Sequence, residues 1–453
     1  MIWITIIFLL FTSPVYAQFL PALSDGQGTV EAHRLFQELA YEEITSDTVM
    51  FGWEEALSHT DTKGTRTYYF PHNANGQMMD YGPDSYAIGD FLPKVQGFFW
   101  HSCGRGGQAG CWTKTGSGGS EMDFDASYKD FMLRRGWDNG IIPVISLDMY
   151  HPHATLRNAG STGTEKCMDL DNCSADTQCN DGSSSSPISS VLSGGSSNAW
   201  FNGELDEIAA YLLNLQGDGI PVIIRPTWEM TQEVDWWSCR CNTATEHKNY
   251  FDYIVEYLRD TKGVHNALYM FSPQPHYNDV DNCDGISNIN YQDYEPSTEN
   301  FDIYNCEVYL QFVDNATNDR VLDAVGTEGT KATLRFWLRD CYDRGVSLDK
   351  ISTIFEGTWD FGSQGTCPSN CEGVNDEYWT ELWNDIIADP KLKNLAFVVV
   401  WWSPHWGMSR VRDGGVERYG SPNPGALYND AQDLRKYATM DTVNVIRRKP
   451  RIF

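Results

Sequence analysis

The sequence predicts one (β/α)8 barrel. Eight short apolar runs bounded by turn residues, helical stretches between several of them, and long irregular insertions that follow strand candidates lead to that class. The runs are TVMFG (48–52), VQGFFW (95–100), GIIPVISL (140–147), PVIIRP (221–226), NALYMF (266–271), VLDAVG (321–326), ISTIFE (351–356) and LAFVVVWW (395–402). Near-continuous apolar character over so few residues is the pattern of parallel strands covered on both faces. Between them, ELDEIAAYLLNLQGDG places Leu205, Ile208, Ala209, Leu212, Leu213 and Leu215 mainly on one helical face and stops at Gly217. EHKNYFDYIVEYLRDTKG and ATLRFWLRDCYDRG behave alike. A doubly wound sheet would need a Gly-rich phosphate turn after its first strand, and none is present.

The insertions 101–125, 151–200, 272–320 and 357–375 fall where a barrel builds its site, on the C-terminal face. Within them, 180–197 (NDGSSSSPISSVLSGGSS) reads as a flexible segment, and the basic tail VIRRKPRIF reads as a frayed end. The resulting division is a leader over 1–17, a barrel over 18–437 and a tail over 438–453.

The leader is an apolar run ending in Val15-Tyr16-Ala17, too short for a membrane span of about 20 residues, so the chain is expected to be secreted. Twelve cysteines agree, since their spacing does not supply zinc pairs and loop-stapling disulfides suit an oxidising compartment. Asn172-Cys-Ser174 and Asn315-Ala-Thr317 are glycan acceptor motifs. A net charge of −29 argues against nucleic acid, whose phosphates are bound through Lys and Arg. It also argues against acidic polysaccharides. With 16 tryptophans and 23 tyrosines, the composition favours a neutral ring-shaped ligand that stacks on aromatics. The acidic stretch DVDNCDG (279–285) is a poor calcium loop, because Val280 takes the first ligand position when Gly285 is aligned to the required glycine. His151 and His153 read as loop histidines rather than metal ligands. No metal or cofactor is expected, no membrane or nucleic-acid partner, and a monomer.

The chemistry concentrates in RPTWEMTQEVDWWS (225–238). Glutamate is rarely buried without a partner, yet Glu229 stands at the mouth of a strand among Trp228, Trp236 and Trp237. A second carboxylate, Glu356, ends the seventh strand. Only a closed barrel brings the two together. Paired carboxylates across a cleft serve glycoside hydrolysis, one protonating the leaving oxygen while the other attacks the anomeric carbon.

These residues resemble glycoside hydrolase family 26, the β-mannanase family of retaining barrel hydrolases. The family's fourth strand ends in Arg-Pro-x-His-Glu-Met before a Trp-Trp pair, and Arg225, Pro226, Glu229, Met230, Trp236 and Trp237 stand at matching offsets. FGWEEAL (51–57), LRDTKGVHNALYMFSP (258–273), VLDAVGTEG (321–329), TIFEG and AFVVVWW are similar to its first, fifth, sixth, seventh and eighth strands. The resemblance implies Glu229 as general acid/base, Glu356 as nucleophile and Trp401 as the floor of the subsite at the broken bond. It implies that Arg225 orients a carboxylate and that Trp236 and Trp237 line the leaving-group side.

Three departures fall at the innermost subsite. Trp228 replaces the family's His. In SLDMYHP, Asp148 stands where the family has a sugar-binding His and His151 where it has Asn. The family's sixth-strand Tyr is not evident near Thr327 to Thr330. The implied activity is a retaining endo-β-glycosidase acting on a neutral polysaccharide, with β-1,4-mannan leading. β-1,3-xylan and mixed-linkage glucan are the alternatives within that class, and a non-catalytic glycan-binding or wall-matrix protein is the alternative outside it.

Overall fold

The computed structural model describes residues 22–45, 48–54, 91–101, 130, 133–149, 151–152, 186–231, 235–274, 290–311, 334–360, 378–400, 410–412, 415–417, 443–444 and 446–447. Eight parallel strands form its centre: β1 (Val49–Glu54), β2 (Val95–His101), β3 (Ile142–Asp148), β4 (Val222–Arg225), β5 (Ala267–Phe271), β6 (Ile303–Gln311), β7 (Ile351–Asp360) and β8 (Phe397–Val400). Each pairs with the next, and β1 returns to β8 with Met50 opposite Phe397 and Trp53 opposite Val400. The sheet closes, as the expected (β/α)8 class requires.

Strand alternation sorts the side chains into two cores. Val144, Ile223, Met270, Ile303, Ile351, Phe355, Phe397 and Val399 fill the barrel interior. Ile145, Leu147, Val222, Ile224, Tyr269, Phe271, Tyr304 and Ile354 face outward to the helices. Two of those helices are α3 (Asn198–Gly217) and α4 (Ala244–Glu256), with α2 (Pro187–Val191) ahead of them. Further on lie α5 (Leu334–Ser347) and α6 (Tyr378–Ala388). α3 stops at Gly217 as its sequence requires, and α4 starts on a capping box in which Thr243 and Glu246 satisfy each other's backbone N–H groups. Space inside the barrel is tight at Gly52, where a Cβ would overlap Val399 and come within 2.9 Å of Val95.

The N-terminal end of the barrel is closed by α1 (Val30–Thr45), a helix that the sequence reading did not mark. Its Ala32, Leu35, Phe36, Leu39 and Ala40 join the interior core. Glu43, at the far end of α1, accepts the Ser352 N–H at the start of β7 (3.0 Å).

Four expectations are corrected. The sixth strand is β6, inside what was read as an insertion, whereas 321–326 lies outside the described residues. The reason is chemical: β6 turns Asn305 and Glu307 inward, so it lacks the continuous apolar run of its neighbours. Part of the supposed flexible segment is ordered, since Ser186 caps α2 and Ile188 and Val191 are fully buried. The tail is not frayed at 443–444 and 446–447, where Val443–Asn444 pairs with the start of β1 and Ile446–Arg447 with Phe91–Leu92. Finally, Cys306 and Cys341 are bonded to each other, stapling β6 to α5 rather than a loop. No cysteine is free among the described residues. The leader, both glycan motifs and the acidic stretch 279–285 lie outside the described residues, among which no helix is long and apolar enough to cross a membrane.

Burial pushes the Glu43 carboxyl up to about 8, against the lowering effect of its bonds to Ser352. A folded-state value above the unfolded one means stability is fully present at low pH and is lost as pH rises from the ordinary carboxylate range through about 8. Glu43→Gln keeps the acceptor and stays neutral, so its stability should change less between pH 4.5 and 8 and exceed the parent's at pH 8. Thermal melts of both proteins across that range check this; parallel curves would refute it.

Candidate active site

At the C-terminal rim, Trp228 pairs with Ser272 and extends the β4–β5 contact past the strand ends. The next residue, Glu229, has φ of 47°, the left-handed region that a side-chain-bearing residue rarely occupies. Such a conformation costs on the order of 1–3 kcal/mol and persists only where its surroundings fix it. Its consequence is local. Trp228 and Met230 on either side turn into the core, and Glu229 alone stays half-buried at the rim.

What fixes it is Glu307 of β6. One carboxylate oxygen accepts the Glu229 backbone N–H at 3.0 Å, and the other pairs with Arg225 Nη2 at 2.7 Å. Arg225 and Glu307 are both fully buried. Arg225 also donates from Nη1 to the Ser146 hydroxyl of β3 (3.1 Å). Its guanidinium carbon lies 4.9 Å from the ring of Trp228 and 4.9 Å from that of Phe355 on β7. Beside this group, Asn305 donates to Ser272 (2.7 Å) and accepts from Thr353 (2.9 Å). A polar layer thus crosses the barrel from β3 to β7, directly beneath the rim.

Glu356 is reached from the same residue. The β6–β7 pairing slips between Cys306 opposite Ile354 and Val308 opposite Gly357, so Phe355 and Glu356 together oppose Glu307. Two residues facing one is a β-bulge, a feature that recurs beside active sites and re-aims a side chain. The backbone therefore brings Glu229 and Glu356 to either side of Glu307.

The remaining expected site residues separate clearly. Trp236 and Trp237, expected to line the leaving-group side, are 0% and 1% exposed, and each spends its only polar side-chain atom on a main-chain carbonyl. They brace the loop: Trp236 Nε1 donates to the Met149 carbonyl after β3 (2.7 Å), and Trp237 Nε1 to the Trp228 carbonyl (3.0 Å). An indole offers a large apolar body and a single donor, which suits a buried strut. Trp228 is 7% exposed and edge-on to Trp237, so most of its surface also belongs to the core. Asp148 is buried at the end of β3, and His151 is fully buried near Trp236 rather than solvated. Arg225 pairs with the carboxylate of Glu307. Trp401 and His153 lie outside the described residues. Among those described, no cluster of His, Cys, Asp or Glu could hold a metal.

Behind the Glu229 turn, His247 of α4 lies 3.1 Å from the Thr227 hydroxyl. Burial drives its imidazole down to about 3, so it places no charge there at neutral pH.

Glu307 was missed by sequence reasoning because its strand was. One signal was available: DIYNCEVYLQF carries Ile303, Asn305 and Glu307 two residues apart, on one face of a strand. The same correction bears on the sixth-strand tyrosine, since β6 carries Tyr309 two residues after Glu307 in sequence.

Comparison with known proteins agrees with the resemblance. The model of glycosyl hydrolase family 26 matches residues 173–333. A mannan endo-1,4-β-mannosidase of Bifidobacterium adolescentis is 37% identical over 121 residues, 26% of this chain and 12% of that protein. One from Bacillus subtilis is 27% identical over 182 residues, 39% of this chain and 42% of that protein. The aligned portion is thus under half of each relative's length. Among solved structures, the catalytic domain of a family 26 endo-β-1,4-mannanase from Bacillus sp. JAMB-750 superposes with a TM-score of 0.63 at 21% identity, covering 94% of both chains. A modular endo-β-1,4-mannanase from Cellulomonas fimi gives 0.62 at 21% identity, covering 94% of this chain and 78% of that one. At such identity these likenesses bear on the fold.

Glu307→Ala leaves the Arg225 charge buried without its carboxylate and should cost about 3–5 kcal/mol of stability. Replacing both partners, as Arg225→Met with Glu307→Leu, should recover most of that loss. Denaturant unfolding of the single and double variants measures it; a single-variant loss under about 1 kcal/mol would show the pair to be of little structural weight.

Proposed function

We propose that this chain is a secreted retaining endo-β-glycosidase that hydrolyses a neutral β-linked polysaccharide, β-1,4-mannan before others. The observation that carries the reading is the placement of Glu229 and Glu356 about Glu307, one by a left-handed turn and one by a bulge. A glycan-binding protein would have no use for two backbone irregularities that serve two carboxylates. The family match and the names of the relatives support the substrate class, and the leader-like N-terminus supports secretion. Glu229 acts as acid and then base. Glu356 attacks the anomeric carbon, and water later releases the sugar from it. β-1,3-xylan and mixed-linkage glucan remain the alternative substrates, on the strength of Trp228 and Asp148 at the innermost subsite.

A reducing-end assay over purified neutral polysaccharides tests the substrate, with mannan expected to be cleaved fastest and no cleavage of any glycan refuting the reading. The roles are tested on an activated aryl glycoside. Glu356→Ala should abolish turnover, because no covalent intermediate can form. Glu229→Ala should retain the first step, lose about 10²–10⁴-fold on substrates with poor leaving groups, and recover turnover on addition of azide. Equal loss in both variants without azide rescue would void the assignment.

A further inference from the structure

Gln274 lies just beyond β5, and the structure marks it on every side. Its own carbonyl accepts from the Thr231 hydroxyl at 2.8 Å, and the Glu307 N–H donates to the preceding Pro273 carbonyl at 3.1 Å. Continuing the pairing of Phe271 with Tyr304 sets Gln274 level with Glu307. The pairing of Trp228 with Ser272 sets it beside the Glu229 turn. Along the strand, Leu268 and Met270 belong to the interior core and Ser272 binds the inward Asn305, so alternation directs Gln274 to the same side.

The residue is 1% exposed, yet neither Oε1 nor Nε2 has a hydrogen-bond partner among the described residues. Its neighbours on this rim are treated differently. Asn242 donates to the carbonyls of Trp236 and Ser238, and Asn305 is bonded through both halves of its amide. A buried amide with neither half satisfied carries an uncompensated desolvation cost that an apolar side chain of equal shape would avoid. Keeping it makes sense if a ligand completes it.

We propose that Gln274 is a specificity-determining residue whose carboxamide binds two neighbouring hydroxyls of a sugar in the cleft, Oε1 accepting from one and Nε2 donating to the other. The inference rests on the glycosidase reading for the identity of the ligand. A carboxamide presents an acceptor and donors side by side, which matches adjacent hydroxyls on one ring. It does so without charge, so binding a neutral glycan leaves no ion desolvated. Its place between Glu229 and Glu307 puts that ring next to the acid/base.

Gln274→Met removes the amide and keeps the length of the side chain; Gln274→Glu keeps acceptors and removes the donors. For each, kcat/KM on mannan, β-1,3-xylan and mixed-linkage glucan is measured, together with Tm with and without an oligosaccharide of the best substrate. The expected result for Gln274→Met is an unchanged or raised Tm without sugar, a weakened Tm rise with it, and a loss in kcat/KM of about tenfold or more. The ratio between glycans should also change, which a purely structural amide would not cause. Gln274→Glu should lie between the two. A kcat/KM within about twofold of the parent with unchanged ratios would overturn the proposal. So would a lower Tm without sugar alongside undiminished kcat/KM. A parent that binds oligosaccharide but cleaves nothing defeats the glycosidase reading alone, and the loss or survival of that binding in Gln274→Met still decides the role of the amide. A parent that neither binds nor cleaves any of the three overturns both.

Discussion

The rim of this barrel is organised by one buried ion pair. Arg225 and Glu307 lie on strands two apart in the closed sheet, fully buried, and neither could remain charged there alone. Together they reach further than two residues. Arg225 touches β3 through Ser146 and β7 through the Phe355 ring, while Glu307 spends its second oxygen on the backbone of Glu229. One guanidinium and one carboxylate therefore key four strands to one another at a single height. A well-packed apolar pair can match such an ion pair in stability. What an apolar pair cannot do is accept an N–H, and that acceptor holds the strained residue in place.

Both irregularities of the rim flank Glu307. On one side the chain enters the left-handed region at Glu229; on the other β7 carries one residue more than β6 across from it. The tryptophan pair extends the logic. Trp236 and Trp237 tie the loop after β4 to carbonyls at the ends of β3 and β4, and Asn242 ties their own backbone in turn. The loop that follows Glu229 is built as a packed element, with α2 and α4 joined behind it through Ser186, Ser189 and Glu246.

How much of this the sequence revealed follows from which patterns sequence carries. Strands wholly lined by apolar residues were legible, since Val222 to Ile224 and Phe397 to Val400 leave few other readings. β6 was not, because Asn305 and Glu307 interrupt its apolar run on the inward side, and these are the residues that matter most at the site. α1 escaped notice for a related reason: it presents five core residues to a barrel end, interleaved with the exposed polar residues His33, Arg34, Gln37 and Glu38. Glu229 was legible from its setting of Arg, Pro and Trp. The burial of that Trp pair was not, because a tryptophan that stacks on a sugar and one that braces a loop read identically in one dimension.

The position of Glu229 also bears on the departures from the family pattern. Where the family has His, this chain has Trp228, a change of shape, polarity and hydrogen-bonding capacity directly before Glu229. Were Glu229 aimed by its neighbour's side chain, that change would be expected to disable it. It is held instead through its own main-chain N–H, and every residue type but proline supplies that donor. Trp228 meanwhile finds a place of its own, over the Arg225 guanidinium and against Trp237. The bond that fixes the backbone at Glu229 thus does not pass through the side chain of residue 228, although that side chain touches the Arg225 end of the same ion pair. A barrel arranged this way can change the residue before Glu229 while the turn at Glu229 is preserved, because the turn is secured through the backbone by a carboxylate from another strand.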